Sequence, residues 1–170
     1  KRNGYDAALF LNSNGKVSEA PGACLMTVRN GKVSTPSVTS NILESITRET
    51  LLRLCREALH LETVERELDR TELYIAHEAF LCGTGAEITP LASIDRFMLG
   101  DGTIGPITQR IESLYHDLVR GVALTDALIG TLPVSKTSLA FEGLLVARSI
   151  GLYKAFDRFV RFSRKRWPDR

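Results

Sequence analysis

The sequence predicts a mixed α/β fold. Three observations carry that expectation. Asn30-Gly31 stands between two β-prone runs, apolar residues recur at helical spacing over residues 45–60, and a compact apolar run at 79–82 leads into Gly83-Thr84-Gly85.

Taken in order, residues 7–11 (Ala-Ala-Leu-Phe-Leu) read as a strand and Asn12-Ser13-Asn14-Gly15-Lys16 as the turn after it. Residues 24–28 and 32–35 flank Asn30-Gly31, a dipeptide that favours the positive backbone angles of a type I′ turn, so they form a hairpin. A helix opens at Ser45-Ile46-Thr47 and runs to about His60, with Leu51, Leu54, Cys55, Ala58 and Leu59 on one face. Residues 63–68 read as a strand, and Asp69-Arg70-Thr71-Glu72 as a helix start with a cap and a glutamate three residues on. A buried strand at 79–82 follows. Residues 88–94 form another, whose Pro90 demands an edge or a bulge. Asp101-Gly102 is a turn, and Pro106 suits the first turn of a helix through Val119, closed by Gly121.

Length allows one compact domain: 170 residues, 44% hydrophobic and 25% charged, are ordinary for a soluble globular chain. There is no low-complexity tract or internal repeat, and the longest apolar runs are far too short to span a bilayer. The first residues lack an initiator Met and a signal-peptide pattern, so the chain reads as beginning in mid-domain. Cys24, Cys55 and Cys82 form no CxxC pair, which points to buried thiols in a reducing, cytoplasmic setting. His60, His77 and His116 have no metal-ligand spacing, so no metal site is expected.

The net charge of +2 hides an asymmetry. Residues 135–170 hold nine Lys/Arg against three acids, leaving 13 basic and 17 acidic residues in 1–134, so the two parts are +6 and −4. The sign changes near Leu132-Pro133. Residues 135–170 are therefore expected to form a basic helical tail, preceded by a linker at 122–134. The tail mixes aromatics with charge in Arg161-Phe162-Ser163-Arg164-Lys165-Arg166-Trp167, while Gly143 and Gly151 weaken its helix. Such a cluster suits an anionic surface or a nucleic acid, yet most basic clusters are solvated faces, and nucleic-acid binding is not the expectation.

Two segments could hold an anion. Ser45-Ile46-Thr47 offers the free amides and positive dipole end of a helix start. Gly83-Thr84-Gly85 offers small residues whose amides can approach a ligand closely. Singly, neither establishes a site, because Ser and Thr commonly cap helices and glycines commonly end strands. Glu19, placed before the kink at Pro21-Gly22, gains interest only in their company.

That company forms a recognisable set. The run Gly15-Lys16-Val17-Ser18-Glu19-Ala20-Pro21-Gly22-Ala23-Cys24-Leu25 resembles the glutamate-bearing signature of the class IV (fold type IV) aminotransferases. Thr39-Ser40-Asn41-Ile42-Leu43-Glu44-Ser45-Ile46-Thr47-Arg48, then Phe80-Leu81-Cys82-Gly83-Thr84-Gly85-Ala86-Glu87-Ile88-Thr89-Pro90, then Gly100-Asp101-Gly102 with Gly105-Pro106-Ile107-Thr108, follow in family order. The resemblance covers residues 1–121 and fits the branched-chain amino-acid type best. It implies the large cofactor-binding domain, incomplete, and pyridoxal 5′-phosphate as cofactor.

By the same resemblance Glu19 pairs with the pyridine nitrogen, and Ile46, Thr47 and Thr84 hold the phosphate. The amides of Thr84 and Gly85 face the substrate carboxylate. The substrates implied are amino acids and 2-oxo acids, and the assembly a homo-oligomer, without a membrane span. Departures are Cys24 and Met26 where many relatives have Asn and Phe, Ser45 where they have Gly, and His77 where an acid is usual. The family's Schiff-base lysine falls upstream of the segment matching Lys1, and none of the six lysines stands in its motif, so the segment alone is expected to be inactive. Alternatives are a related D-amino-acid aminotransferase or aminodeoxychorismate lyase, or a non-catalytic module acting through an anion-binding tail.

Overall fold

The computed structural model describes residues 4–119. The linker and basic tail expected at 122–170 lie outside the described residues. The hairpin forms as its turn dictates. Strand β1 (Cys24–Arg29) and strand β2 (Lys32–Pro36) pair antiparallel, with Arg29 opposite Lys32. Asn30 (φ 51°) and Gly31 (φ 75°) both take the positive angles of a type I′ turn.

Helix α1 (Ile46–Arg53) starts where Ser45 caps it, the Ser45 Oγ accepting the Arg48 N–H at 3.3 Å. Past Arg53 it widens into a π-helical turn, Leu54–Ala58, in which Leu59 N–H reaches Leu54 O at 3.1 Å. Strand β3 (Thr63–Arg66) then runs parallel to β2. A short helix α2 (Arg70–Leu73) begins with the expected capping contact, Asp69 N–H donating to Glu72 Oε1 at 3.0 Å.

Strand β4 (Glu78–Gly83) is buried along its whole length and pairs antiparallel with β1, Cys24 opposite Cys82. Strand β5 (Glu87–Pro90) pairs with β4 and completes a sheet of order β3-β2-β1-β4-β5. Strands β6 (Ser93–Ile94) and β7 (Phe97–Met98) form a separate two-stranded ribbon, and helix α3 (Pro106–Val119) ends the described chain.

Period-two alternation sends side chains to both faces of the sheet. Cys24, Met26, Val28, Phe80 and Cys82 pack with Leu51, Leu52, Leu54 and Cys55 of α1 and its π turn, and with Ile111 and Tyr115 of α3. Ala23, Leu25, Ala79 and Leu81 face the other way, onto Val17, Leu68, Leu73, Ile94 and Leu99. Full burial of side chains such as Phe80, Leu25 and Leu51 contributes about 1.5–3 kcal/mol each.

Two expected strands are corrected. Residues 7–11 form no continuous strand: Leu11 bridges Val17, and Phe10 exchanges two bonds with Ser18 and Glu19. The partner segment bends at once into the Ala20–Ala23 turn, so the ladder has no length to grow. Residues 88–94 are split: β5 ends at Pro90, with Leu91 N–H still bonding Ala79 O at 2.8 Å in the β4–β5 register, and a separate strand begins at Ser93. Pro90 lies at the end of an edge strand, where its missing N–H costs no ladder bond.

Two buried charges tie the elements together. The Arg48 side chain, 4% exposed, donates to Glu65 Oε2 (2.6 Å), Pro36 O (3.0 Å) and Thr35 Oγ1 (3.3 Å), fastening α1 to β2 and β3. The Glu78 carboxylate accepts the Ile107 and Thr108 N–H groups at 3.1 and 2.7 Å and so caps α3.

Arg66 grips Glu72 with two parallel bonds of 2.9 and 2.6 Å, which lower the Glu72 carboxyl to about 2 from its ordinary 4.5. A folded pKa below the unfolded one stabilises the fold above the unfolded value, and that contribution is lost as pH falls toward 2. Glu72→Gln is therefore expected to destabilise the fold by about 1 kcal/mol at pH 7, discounted for the partial exposure of the pair. In urea titrations the gap between the two proteins should close on acidification to pH 2.

Candidate functional site

The β1–β4 pairing brings distant segments to one end of the sheet. Gly83 approaches the Ala20–Ala23 turn so closely that a Cβ there would lie 2.8 Å from Gly22 O, leaving room for no larger residue. Gly83 ends β4, and Thr84 and Gly85 follow as an exposed turn. The glutamate-bearing segment and the glycine-rich turn thus lie side by side.

Glu19 is half-buried and held by its backbone and its side chain. Phe10 N–H donates to Glu19 O at 2.8 Å, and Leu43 N–H donates to Glu19 Oε2 at 3.0 Å. Its Oε1 accepts no hydrogen bond among the described residues. The loop that supplies Leu43 is pinned again by Ser18 Oγ, which donates to Asn41 O at 2.9 Å, while Asn41 takes φ 62°. Cys24 Sγ lies 3.7 Å from Leu43 O as a weak donor. Two residues past Leu43 the chain reaches Ser45 and the start of α1.

At that start Ile46 is 60% exposed and Thr47 is 1% exposed. The first amides of a helix have no intrahelical acceptor. Ser45 Oγ takes the third (Arg48 N–H) and Ser45 O the fourth (Glu49 N–H), so the amides of Ile46 and Thr47 are the two left for a ligand. The Thr47 side chain lies beside the buried hydroxyl of Tyr115 on α3.

The structure therefore joins Glu19 to Ile46 and Thr47 through Leu43 and Ser45, and places Thr84 and Gly85 at the same end of the sheet. Sequence reasoning left out Ser18, Leu43, Arg48 and Tyr115. Ser18 could have been found from its place beside Glu19. Leu43 acts through its main chain, which residue type does not reveal. Arg48 ends the motif at residues 39–48, but arginine rarely signals burial. Tyr115 lies seven residues after Thr108 on the apolar face of α3, a spacing that could have marked it.

The three thiols are free and buried. Burial pushes Cys24 up, with the neighbouring Glu19 charge adding to the effect. Burial pushes Cys55 up to about 12 and Cys82 up as well. They are packing groups, as the sparse spacing suggested. His77 is exposed, and its backbone N–H donates to Val28 O at 2.9 Å just before β4. Among the described residues no cluster of His, Cys, Asp and Glu could hold a metal.

The family model of amino-transferase class IV matches residues 1–94. The chain belongs to the class IV aminotransferases. Members of this class depend on pyridoxal 5′-phosphate, and a similar solved structure, the branched-chain amino acid aminotransferase of Thermobaculum terrenum, is in its PLP form. This class IV chain is 58% identical to that protein, with a TM-score of 0.70, over 71% of this chain and 39% of the other. It is 47% identical to "Probable branched-chain-amino-acid aminotransferase" of Aquifex aeolicus, over 69% of this chain and 38% of that protein. The branched-chain amino acid aminotransferase of Escherichia coli, as a solved structure, is 41% identical with a TM-score of 0.67, over 69% of this chain and 38% of that one. The chain thus spans about two fifths of the length of the relatives it matches.

The donor set fits the cofactor's chemistry. A carboxylate with one anchored and one open oxygen suits a pyridine N–H, and a helix start with two open amides suits a phosphate. Neither thiol labelling nor reactivity is expected in the native state: a colorimetric disulfide reagent at pH 8 should label Cys24, Cys55 and Cys82 only after denaturant is added, and rapid labelling of the folded chain would contradict their burial.

Proposed function

We propose that this segment is the cofactor-holding part of a branched-chain amino-acid aminotransferase, which moves an amino group between a branched-chain L-amino acid and 2-oxoglutarate. The observation that carries the proposal is the Glu19 carboxylate, anchored at Oε2 by Leu43 N–H on the loop that leads into α1. The branched-chain assignment is supported by relatives of that name at 41–58% identity.

Glu19 Oε1 would hold the proton on the pyridine nitrogen, because a carboxylate within hydrogen-bond reach favours the charged ring. The amides of Ile46 and Thr47, the Thr47 hydroxyl and Thr84 would hold the phosphate, using the positive end of α1. The amides of Thr84 and Gly85 would orient the substrate carboxylate. When bound, pyridoxal 5′-phosphate supplies an electron sink for negative charge at the substrate α-carbon.

The described lysines are committed elsewhere. Lys16 pairs with Asp69 at 2.8 Å, chiefly through a hydrogen bond that raises its pKa, and Lys32 pairs with Glu62 at 2.8 Å. A nucleophilic amine needs the opposite shift. On this proposal the cofactor-linking lysine comes from outside these 170 residues, which alone transfer no amino group. Residues 1–121 form the catalytic-domain segment, and 135–170 a separate basic tail after the linker at 122–134.

No described helix is long and apolar enough to cross a membrane. A cytoplasmic homo-oligomer is proposed. It is supported by the exposed apolar side chains of Leu43 and Ile46 (75% and 60%), which ask for cover near the site.

In the complete enzyme carrying this segment, Glu19→Ala is expected to lower turnover roughly 100-fold or more, as loss of a charge-stabilising group at a reacting centre does. Steady-state assays with L-leucine, L-valine or L-isoleucine as donor and 2-oxoglutarate as acceptor measure it. Unaltered turnover in Glu19→Ala, or no transfer from any of the three donors, would sink the proposal.

A further inference from the structure

Thr108, Ile111 and Tyr115 form the buried face of α3. Two of the three carry hydroxyls that find no hydrogen-bond partner among the described residues, Thr108 Oγ1 and Tyr115 Oη. A hydroxyl withdrawn from water without a partner is a standing cost, and one in a native core calls for a reason. Tyr115 is 0% exposed and packs in the apolar cluster with Leu51, Phe80 and Cys82. A phenylalanine would fill the same space without that cost. The Tyr115 hydroxyl lies beside the side chain of Thr47, itself buried and second in α1.

We propose that Tyr115 is a positioning residue, whose buried hydroxyl orients the Thr47 side chain toward a phosphate held at the N-terminus of α1. The inference rests on the proposed phosphate role of Ile46 and Thr47. With an anion bound, the Tyr115 O–H turns to donate to Thr47 Oγ1, which leaves the single Thr47 hydroxyl proton to point outward, at an anion oxygen. No covalent bond changes. The arrangement also explains a tyrosine in an otherwise apolar setting: the phenol completes its hydrogen bonding when the threonine turns to its ligand. Burial pushes the Tyr115 pKa up, so the group stays a neutral donor at and above neutral pH.

The test uses the full chain and two probes that cannot link covalently to an amine, pyridoxine 5′-phosphate and pyridoxine. The ratio of their dissociation constants isolates what the phosphate contributes, and a loss of general packing would not move it. Tyr115→Phe is expected to cut that phosphate preference roughly three- to tenfold, the scale of one hydrogen bond. Its thermal midpoint should stay unchanged or rise. Because the hydroxyl acts through Thr47, adding Tyr115→Phe to Thr47→Val should lower the preference no further. An unchanged preference in Tyr115→Phe, or an equal loss with and without the Thr47 hydroxyl, overturns this inference alone. No phosphate preference in the unsubstituted protein overturns it together with the function proposed above.

Discussion

Glu19 and the Gly83-Thr84-Gly85 turn are neighbours because β1 and β4 pair with Cys24 opposite Cys82. Everything else at the site is arranged around that register. A slip of one residue would turn every side chain of one strand to the opposite face. A slip of β1 would take Met26 out of the helical layer and put Leu25 into it, and a slip of β4 would do the same with Phe80 and Leu81. Both faces are buried, so the slip is costly on either side, and the end of the sheet is fixed as firmly as its middle. Gly83 marks how close the fit is, since its neighbour Gly22 leaves no room for a side chain.

On that frame the loop from Asn41 to Ser45 is held by contacts that also shape the site. Ser18 and Glu19 are adjacent, and each takes one bond to the loop, at Asn41 O and Leu43 N. The helix that follows is then locked from its other side by Arg48, whose guanidinium reaches both β2 and β3. A buried ion pair is a poor source of net stability, but its directional bonds fix one arrangement. Here the arrangement fixed is the direction in which α1 presents its first amides. Stability and site geometry are served by the same bonds.

Much of this was legible in the residues and some was not. The hairpin at Asn30-Gly31, the cap at Ser45, the buried run of β4 and the helix opened by Pro106 follow from local chemistry, and each formed as expected. The strand at 7–11 did not, because its apolar residues are mostly exposed and its partner bends away after two bonds. The run at 88–94 divided because Ser93 and Ile94 pair with Phe97 and Met98 in a separate ribbon instead of extending the β4–β5 ladder, a pairing that no local pattern encodes. Glu19, Ile46, Thr47, Thr84 and Gly85 were singled out through family motifs and are candidates. Leu43 acts through its backbone, which residue type does not reveal, and Tyr115 could be placed on the buried face of α3 by spacing, but its orphaned hydroxyl is visible only once its surroundings are known.

The two helix starts facing β4 show how the same physics is put to different uses. The N-terminus of α3 is closed by a carboxylate of its own chain, Glu78, which takes the amides of Ile107 and Thr108. A negative charge already sits where a helix dipole attracts one, so that end has no capacity for a second anion. The N-terminus of α1 is capped only by the neutral Ser45, which satisfies one amide and brings no charge. Of the two helix starts at the same sheet, one has its amides taken by a carboxylate of its own chain, while the other, with Glu49 in its first turn, keeps the amides of Ile46 and Thr47 open. A Ser cap alone is common and proves nothing; what sets the start of α1 apart is that its two open amides follow the loop that Glu19 anchors at Leu43.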